Sequence, residues 1–159
     1  MTTVTHIHAA GPLDAPEVAE MTGALLGEIM AAIGVQVFNF DQAATVARLE
    51  DFLAREKSFV FVARDDDYQP LGFIAMYEGH ALYAEGAFGT IAELYVQPAY
   101  RGVQVGRELV LAARRLASAR HWTRLEVTTP PLPHFGRTLA FYEREGFAIS
   151  GGRKLKSAV

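Results

Sequence analysis

Apolar residues recur along this chain with two different periods, and the switches between them outline its elements. Val18, Met21, Leu25, Ile29 and Ile33 fall on one stripe at helical spacing, which predicts a helix ending near residue 33. Asp14 stands where an N-cap belongs, Pro16 is tolerated in a first turn, and Glu17 and Glu20 sit at the positive end of the dipole. Val46, Leu49 and Phe52/Leu53 mark a second helix over residues 42–56, with Asp41 as its cap. Between the two, residues 34–40 break the helical period and carry Phe38 and Phe40. Loose alternation over residues 3–9 and β-rich runs over residues 58–64, 71–77 (extending toward 83) and 91–96 predict strands. Turn residues at 65–70 and 85–89 separate the last three, so residues 58–96 read as an antiparallel meander. Helical spacing returns over residues 105–119, with Leu109, Ala112/Ala113 and Leu116 as the apolar stripe. A strand over residues 124–129 stops at Pro130 and Pro131, and Gly146 ends a last helix over residues 137–145. Residues 147–155 contain Gly151 and Gly152 and read as a single strand or a tight hairpin. The strand, helix, strand passage from residue 91 to 129 implies one parallel pair.

Composition narrows the class. The 159 residues suit one domain, residues 1–159, and no stretch approaches the ~18–20 apolar residues of a membrane span. The first residues show no basic region followed by an apolar one, so a soluble cytoplasmic protein without a membrane partner is the expectation. There is no cysteine, which removes disulfides, thiolate metal sites and a cysteine-bound acyl intermediate. His6 and His8 share a strand face but have no third ligand nearby. Asp65, Asp66 and Asp67 read as a solvated turn, so no metal is expected.

Charge is divided unevenly. Residues 1–100 carry 14 acids and 4 bases, whereas residues 101–159 carry 4 acids and 11 bases. The second stretch suits a phosphate-rich ligand and the first a cationic one, unless both are simply solvated faces. No basic run is interleaved with aromatics, which argues against nucleic acid.

The chemistry concentrates in residues 93–109. A strand ends at Pro98, a loop carries Arg101, Gly102 and Gly106, and a helix starts at about Val105. The first amides of a helix have no internal partners and carry the positive dipole end, so such a junction is an anion site. A P-loop would need Gly-Lys-Ser/Thr, but Gly106 is followed by Arg107 and Glu108; the dinucleotide spacing does not fit either. The bland reading is an ordinary strand-to-helix turn. However, Val96, Pro98, Arg101, Gly102 and Gly106 resemble the acyl-CoA signature of the GNAT superfamily of N-acetyltransferases. Gln104 departs from it, because the family usually has glycine there, free to approach a diphosphate or to take positive φ. A second match, Phe141, Tyr142, Gly146 and Phe147, resembles the family's late motif, in the right order.

The resemblance implies an α/β (α+β) fold: a mixed, mostly antiparallel sheet flanked by helices, in the order β-α-α-β-β-β-α-β-α-β. The family commonly closes with two strands, and so few residues follow Phe147 that the last strand is short, missing or supplied by a second copy. A homodimer covering that edge stays open. The implied activity is transfer of an acetyl group from acetyl-CoA to a primary amine, by direct transfer in a ternary complex. Gly102, Val103, Gln104, Val105 and Gly106, with Arg101 and Arg107, would hold the phosphates. Leu94, Tyr95 and Val96 would pair with the pantetheine as an extra strand would. Phe38 and Phe40 would touch the acceptor, a cationic small-molecule or peptide amine. A free alkylamine has a pKa near ~10, so a base is needed. Glu93 is the first choice, through water; Glu126, Glu78 and His80 are fallbacks. Tyr142 is the candidate acid for the leaving thiolate. The competing reading is a catalytically silent acyl-CoA-binding or protein-interaction module on the same fold.

Overall fold

The computed structural model describes residues 5–159. The chain divides into two compact units, Met1–Thr128 and Thr129–Val159. The first holds β1 (His6–Ala9), α1 (Ala15–Ile33), α2 (Gln42–Ala54), β2 (Phe59–Arg64), β3 (Pro70–Ala81), β4 (Gly86–Val96), α3 (Val105–Ala119) and β5 (Leu125–Val127). The second holds α4 (Gly136–Arg144). Residues 3 and 4 of the expected first strand lie outside the described residues.

The five strands form one sheet in chain order. Neighbours from β1 to β4 are antiparallel, and β5 runs parallel to β4, as a crossover through α3 requires. One face carries Val60, Val62, Phe73, Ala75 and Tyr95, which join Ala15, Val18 and Met21 of α1 and Leu49 of α2 in one core. The helix α3 lies against β2, β3 and β4 on the other face, burying Val105, Leu109, Val110, Ala112 and Ala113. The stripes read from the sequence are therefore the covered ones, with Leu25, Val46 and Leu53 partly covered, except that Phe52 is 38% exposed and Leu53 alone faces the core.

Two expectations change. The helix cap at Asp41 forms as expected, accepting from the Ala44 amide at 2.8 Å. Asp14 stands at the N-cap of α1 but does not cap it. Its carboxylate instead accepts from the Gly11 amide (2.8 Å) and from Arg64 (2.7 Å). The second change is at the hairpin. Residues 86–89 are not a turn but the first part of β4, paired with β3 from Ala81↔Gly86 onward, and the chain reverses at residues 82–85. Gly89 misleads here because its role is close packing: a Cβ at that position would lie 2.3 Å from the Trp122 ring.

Arg64 is the least expected member of the core, at 1% exposure. All five of its N–H groups are satisfied. Nε donates to His8 Nε2 (3.0 Å), Nη1 to the Tyr68 carbonyl (3.1 Å) and Glu17 (3.4 Å), and Nη2 to Asp14 (2.7 Å) and Glu17 (3.0 Å). The Tyr68 ring covers the guanidinium at 4.4 Å. Because His8 Nε2 accepts, its proton sits on Nδ1, which donates to the Ala9 carbonyl at 3.0 Å. His6 pairs with Asp66, and Asp65 accepts from the turn amides of Asp67 and Gln69. These side chains order the β2–β3 turn and the start of α1.

In the second unit, Gly146 adopts φ +94° after α4, the left-handed geometry that ends a helix. Among the described residues none after α4 belongs to a helix or strand, so the last strand is missing rather than short.

Candidate acyl-CoA site

The site begins where β4 loses its neighbour. The strand β5 ends at Val127, opposite Ile91, while β4 continues to Val96. At that point β4 carries a bulge: Met76 pairs with Ile91 but Ala75 pairs with Glu93, leaving Ala92 unpaired. An extra residue bends the strand that bears it. Among the described residues, β4 beyond the bulge makes backbone pairs only with β3. The Gln97 amide donates to Leu71 O at 2.8 Å, so by alternation the backbone groups of Leu94 and Val96 face the open edge. A linear amide-containing ligand finds an unpaired strand edge there.

The chain next makes a short 3₁₀ turn, Pro98–Tyr100, and enters α3 through two left-handed residues, Gly102 (φ +81°) and Gln104 (φ +72°). After Arg101, whose amide donates to Pro98 O at 3.3 Å, the next amide with an acceptor is that of Glu108, bonded to Gln104 O at 3.0 Å. Among the described residues, none of the amides from residue 102 to 107 has a protein partner. That is a six-residue set of donors at the positive end of a 15-residue helix. Arg107 is exposed and makes no ion pair among the described residues, so it is free to meet an anion. Arg101 is placed differently. Its guanidinium forks onto Glu28 of α1 and donates to the Val96 carbonyl.

Gln104 occupies a conformation that costs a side-chain-bearing residue roughly 1–2 kcal/mol relative to glycine. Part of that is offset by glycine's greater freedom in the unfolded chain. Gln104→Gly is therefore expected to raise stability by roughly 0.5–1 kcal/mol, read as a melting-temperature rise of ~1–4 °C. A fall in melting temperature would mean the Gln104 side chain makes a compensating contact.

Glu93 lies on β4 opposite Ala75, and Tyr95 opposite Phe73, so the two share the α1/α2 face. Glu93 is half-buried, has no hydrogen-bond or ion-pair partner among the described residues, and burial raises its pKa above the usual carboxylate range. Among the described residues no fully buried side-chain polar atom lacks a partner, so its carboxylate keeps access to solvent. The fallbacks are engaged elsewhere. Glu78 accepts from Trp122 Nε1 and from Arg120, and the Trp122 hydrogen bond, followed by Arg120, holds its pKa low. Glu126 pairs with Arg124 at 2.7 Å, and His80 is exposed beside Glu78.

Phe38 and Phe40 are 37% and 38% exposed on the loop after α1. Phe40 is held by Gly23, where a Cβ would stand 2.6 Å from its ring; Val35 and Val37 are exposed on the same loop. In the second unit, Tyr142 is 4% exposed, edge-on to Phe141 (5.3 Å) and Phe147 (5.4 Å). Its hydroxyl has no hydrogen-bond partner among the described residues, and burial pushes its pKa up.

Glu28 and the Ala92 bulge were not visible in the sequence. Glu28 reads as one more outward carboxylate on α1, and a bulge leaves no mark when the inserted residue is alanine.

No curated protein matches the chain significantly. Solved structures match its fold over nearly the full length. A ribosomal-protein-alanine N-acetyltransferase from Brucella melitensis biovar Abortus 2308 is 20% identical, with TM-score 0.73, covering 98% of this chain and 100% of that one. An aminoglycoside N-acetyltransferase in complex with CoA is 15% identical, with TM-score 0.80 and coverage of 99% and 97%. A predicted acetyltransferase with acetyl-CoA, from Clostridium acetobutylicum, is 14% identical, with TM-score 0.78 and coverage of 97% and 96%. The profile described as an acetyltransferase (GNAT) domain matches residues 56–149, from just before β2 to just beyond α4. With the open strand edge, the unpaired amides and a profile match over more than half its length, the chain belongs to the GNAT family of acetyltransferases.

Proposed function

We propose that residues 1–159 act as one cytoplasmic N-acetyltransferase domain, moving an acetyl group from acetyl-CoA to a primary amine in a ternary complex. The observation that carries this reading is the run of unpaired amides at residues 102–107, directly after the open edge at Leu94 and Val96. Those amides with Arg107 take the diphosphate, and the open edge takes the pantetheine amides. The amine nitrogen attacks the thioester carbonyl, forming the C–N bond, and its proton passes through water to Glu93. As the C–S bond breaks, the thiolate takes the Tyr142 hydroxyl proton. The raised pKa of Glu93 suits a base, whereas burial keeps the Tyr142 hydroxyl protonated and makes it a weaker donor, so its support is the motif position and not its acidity. Phe38 and Phe40 bound the acceptor, and the acidic first 100 residues favour a cationic one.

The test is CoA-thiol release from acetyl-CoA across an amine panel of aminoglycosides, polyamines and peptides with a free N-terminal alanine. Two of these classes follow the acetyltransferases named above. Release with at least one amine is expected. Acetyl-CoA stabilisation without release on the whole panel would instead favour a silent acyl-CoA-binding module. Tyr142→Phe is expected to lower kcat by about 10² while acetyl-CoA affinity holds. An unchanged kcat would remove Tyr142 from the mechanism.

A further inference from the structure

Glu28 has no part in the chemistry above, yet it determines what Arg101 does. Its two carboxylate oxygens take Nη1–H and Nη2–H of Arg101 in a fork, each at 2.7 Å. Arg101 Nε–H goes to the Val96 carbonyl at 2.8 Å, one of the groups on the open β4 edge. The guanidinium carbon lies 5.6 Å from the Tyr95 ring centroid. One side chain thus ties α1, the end of β4 and the first residue of the phosphate loop together. The Arg101 hydrogen bond is also what chiefly holds Glu28 ionised, below the ordinary carboxylate range.

Both side chains are about two-fifths exposed, so the pair adds little to global stability. What a two-pronged fork adds is orientation. The residues it orients are those at the start of the loop, which then runs through positive φ at Gly102 and Gln104. Sequence resemblance assigns the Arg101 guanidinium to the phosphates, but here it is committed to Glu28 and Val96, while Arg107 is free.

We propose that Glu28 is a positioning residue for the acyl-CoA site: by holding Arg101 against α1 and the end of β4, it keeps residues 101–104 in the conformation that leaves the following amides unpaired. Arg107, not Arg101, is then the cation that meets phosphate. This rests on the acetyl-CoA reading above. The alternative is that Arg101 leaves Glu28 for the phosphate when the ligand arrives, which makes Glu28 a competitor. The two predict opposite signs.

The experiment is titration of acetyl-CoA into the full chain and its Glu28→Gln variant by calorimetry, with hydrogen exchange, in the ligand-free proteins, of the two bonded amides that close the loop, Arg101 (to Pro98 O) and Glu108 (to Gln104 O). Glu28→Gln is expected to weaken acetyl-CoA binding roughly tenfold, the scale of a modest coupling between sites, and to speed exchange of those amides. Under turnover the loss falls on KM for acetyl-CoA rather than on kcat, and Glu28→Asp, which keeps the charge, recovers part of it. Affinity that is unchanged or tighter, or exchange that is unchanged, overturns the proposal. If the unaltered chain binds no acetyl-CoA, the proposed function falls, and exchange alone decides the positioning role: faster in Glu28→Gln upholds it, equal rates overturn it.

Discussion

Arg64→Ala is expected to lower the stability of the fold by about 3 kcal/mol, a loss of ~6–12 °C in melting temperature. The reason is what the guanidinium leaves behind. Asp14 and Glu17 converge on it from the first turn of α1, with side chains 15% and 42% exposed, and each loses its counter-ion at once. The Tyr68 carbonyl and His8 Nε2 lose a donor in the same step. Removing one partner of a buried ion pair typically costs ~3–5 kcal/mol; the partial exposure of Glu17 places this case at the lower end. Arg64→Lys should recover little, since an ammonium cannot serve five acceptor directions in one plane. Thermal melts decide: a loss below ~2 °C for Arg64→Ala would show that the network is incidental to stability.

Glu93→Gln should produce the largest change in activity, a fall of ~10²–10³ in kcat/KM. Its pH behaviour is the sharper criterion. With Glu93 as the base, activity is lost as pH falls through a pKa that burial holds above the ordinary carboxylate value. That acid limb should vanish in Glu93→Gln. Stability should move the other way. A carboxyl whose folded pKa is raised binds more protons folded than unfolded between its unfolded and folded pKa values. Its stabilising contribution is therefore full below the unfolded value and lost as pH rises through the folded one. Near neutral pH the ionised group is a burden that glutamine removes, so the variant should melt higher while working worse. An acid limb that persists in Glu93→Gln would assign the base elsewhere.

The helices were legible because their information is local. The expected bounds of α3, residues 105–119, are those observed, and the expected α4, residues 137–145, differs by one residue at each end. Apolar spacing and a terminating glycine suffice for that. Gln104 was legible in part: a glycine position in the resembled motif means either close approach to a diphosphate or positive φ, and the residue adopts +72°. The expected turn at residues 85–89 failed because two glycines three residues apart, Gly86 and Gly89, look like punctuation, when Gly89 is there for the Trp122 ring above it. Arg64 at the end of a β run, and Glu28 on a helix surface, gave no sign of their partners. Those partners, Asp14, Glu17 and Arg101, are 47 to 73 residues away along the chain, and pairing at such range has no periodic trace.

The unpaired Ala92 has an effect out of proportion to its size. Counting back from Met76↔Ile91 without it, Ala92 would stand opposite Ala75 and Glu93 opposite Ile74. The carboxylate would then be turned toward α3, under the opposite layer of helix. The bulge alone thus decides which layer receives the acid: drawing Ala92 into the ladder would turn Glu93 over, whereas deleting Ala92 would leave Glu93 opposite Ala75.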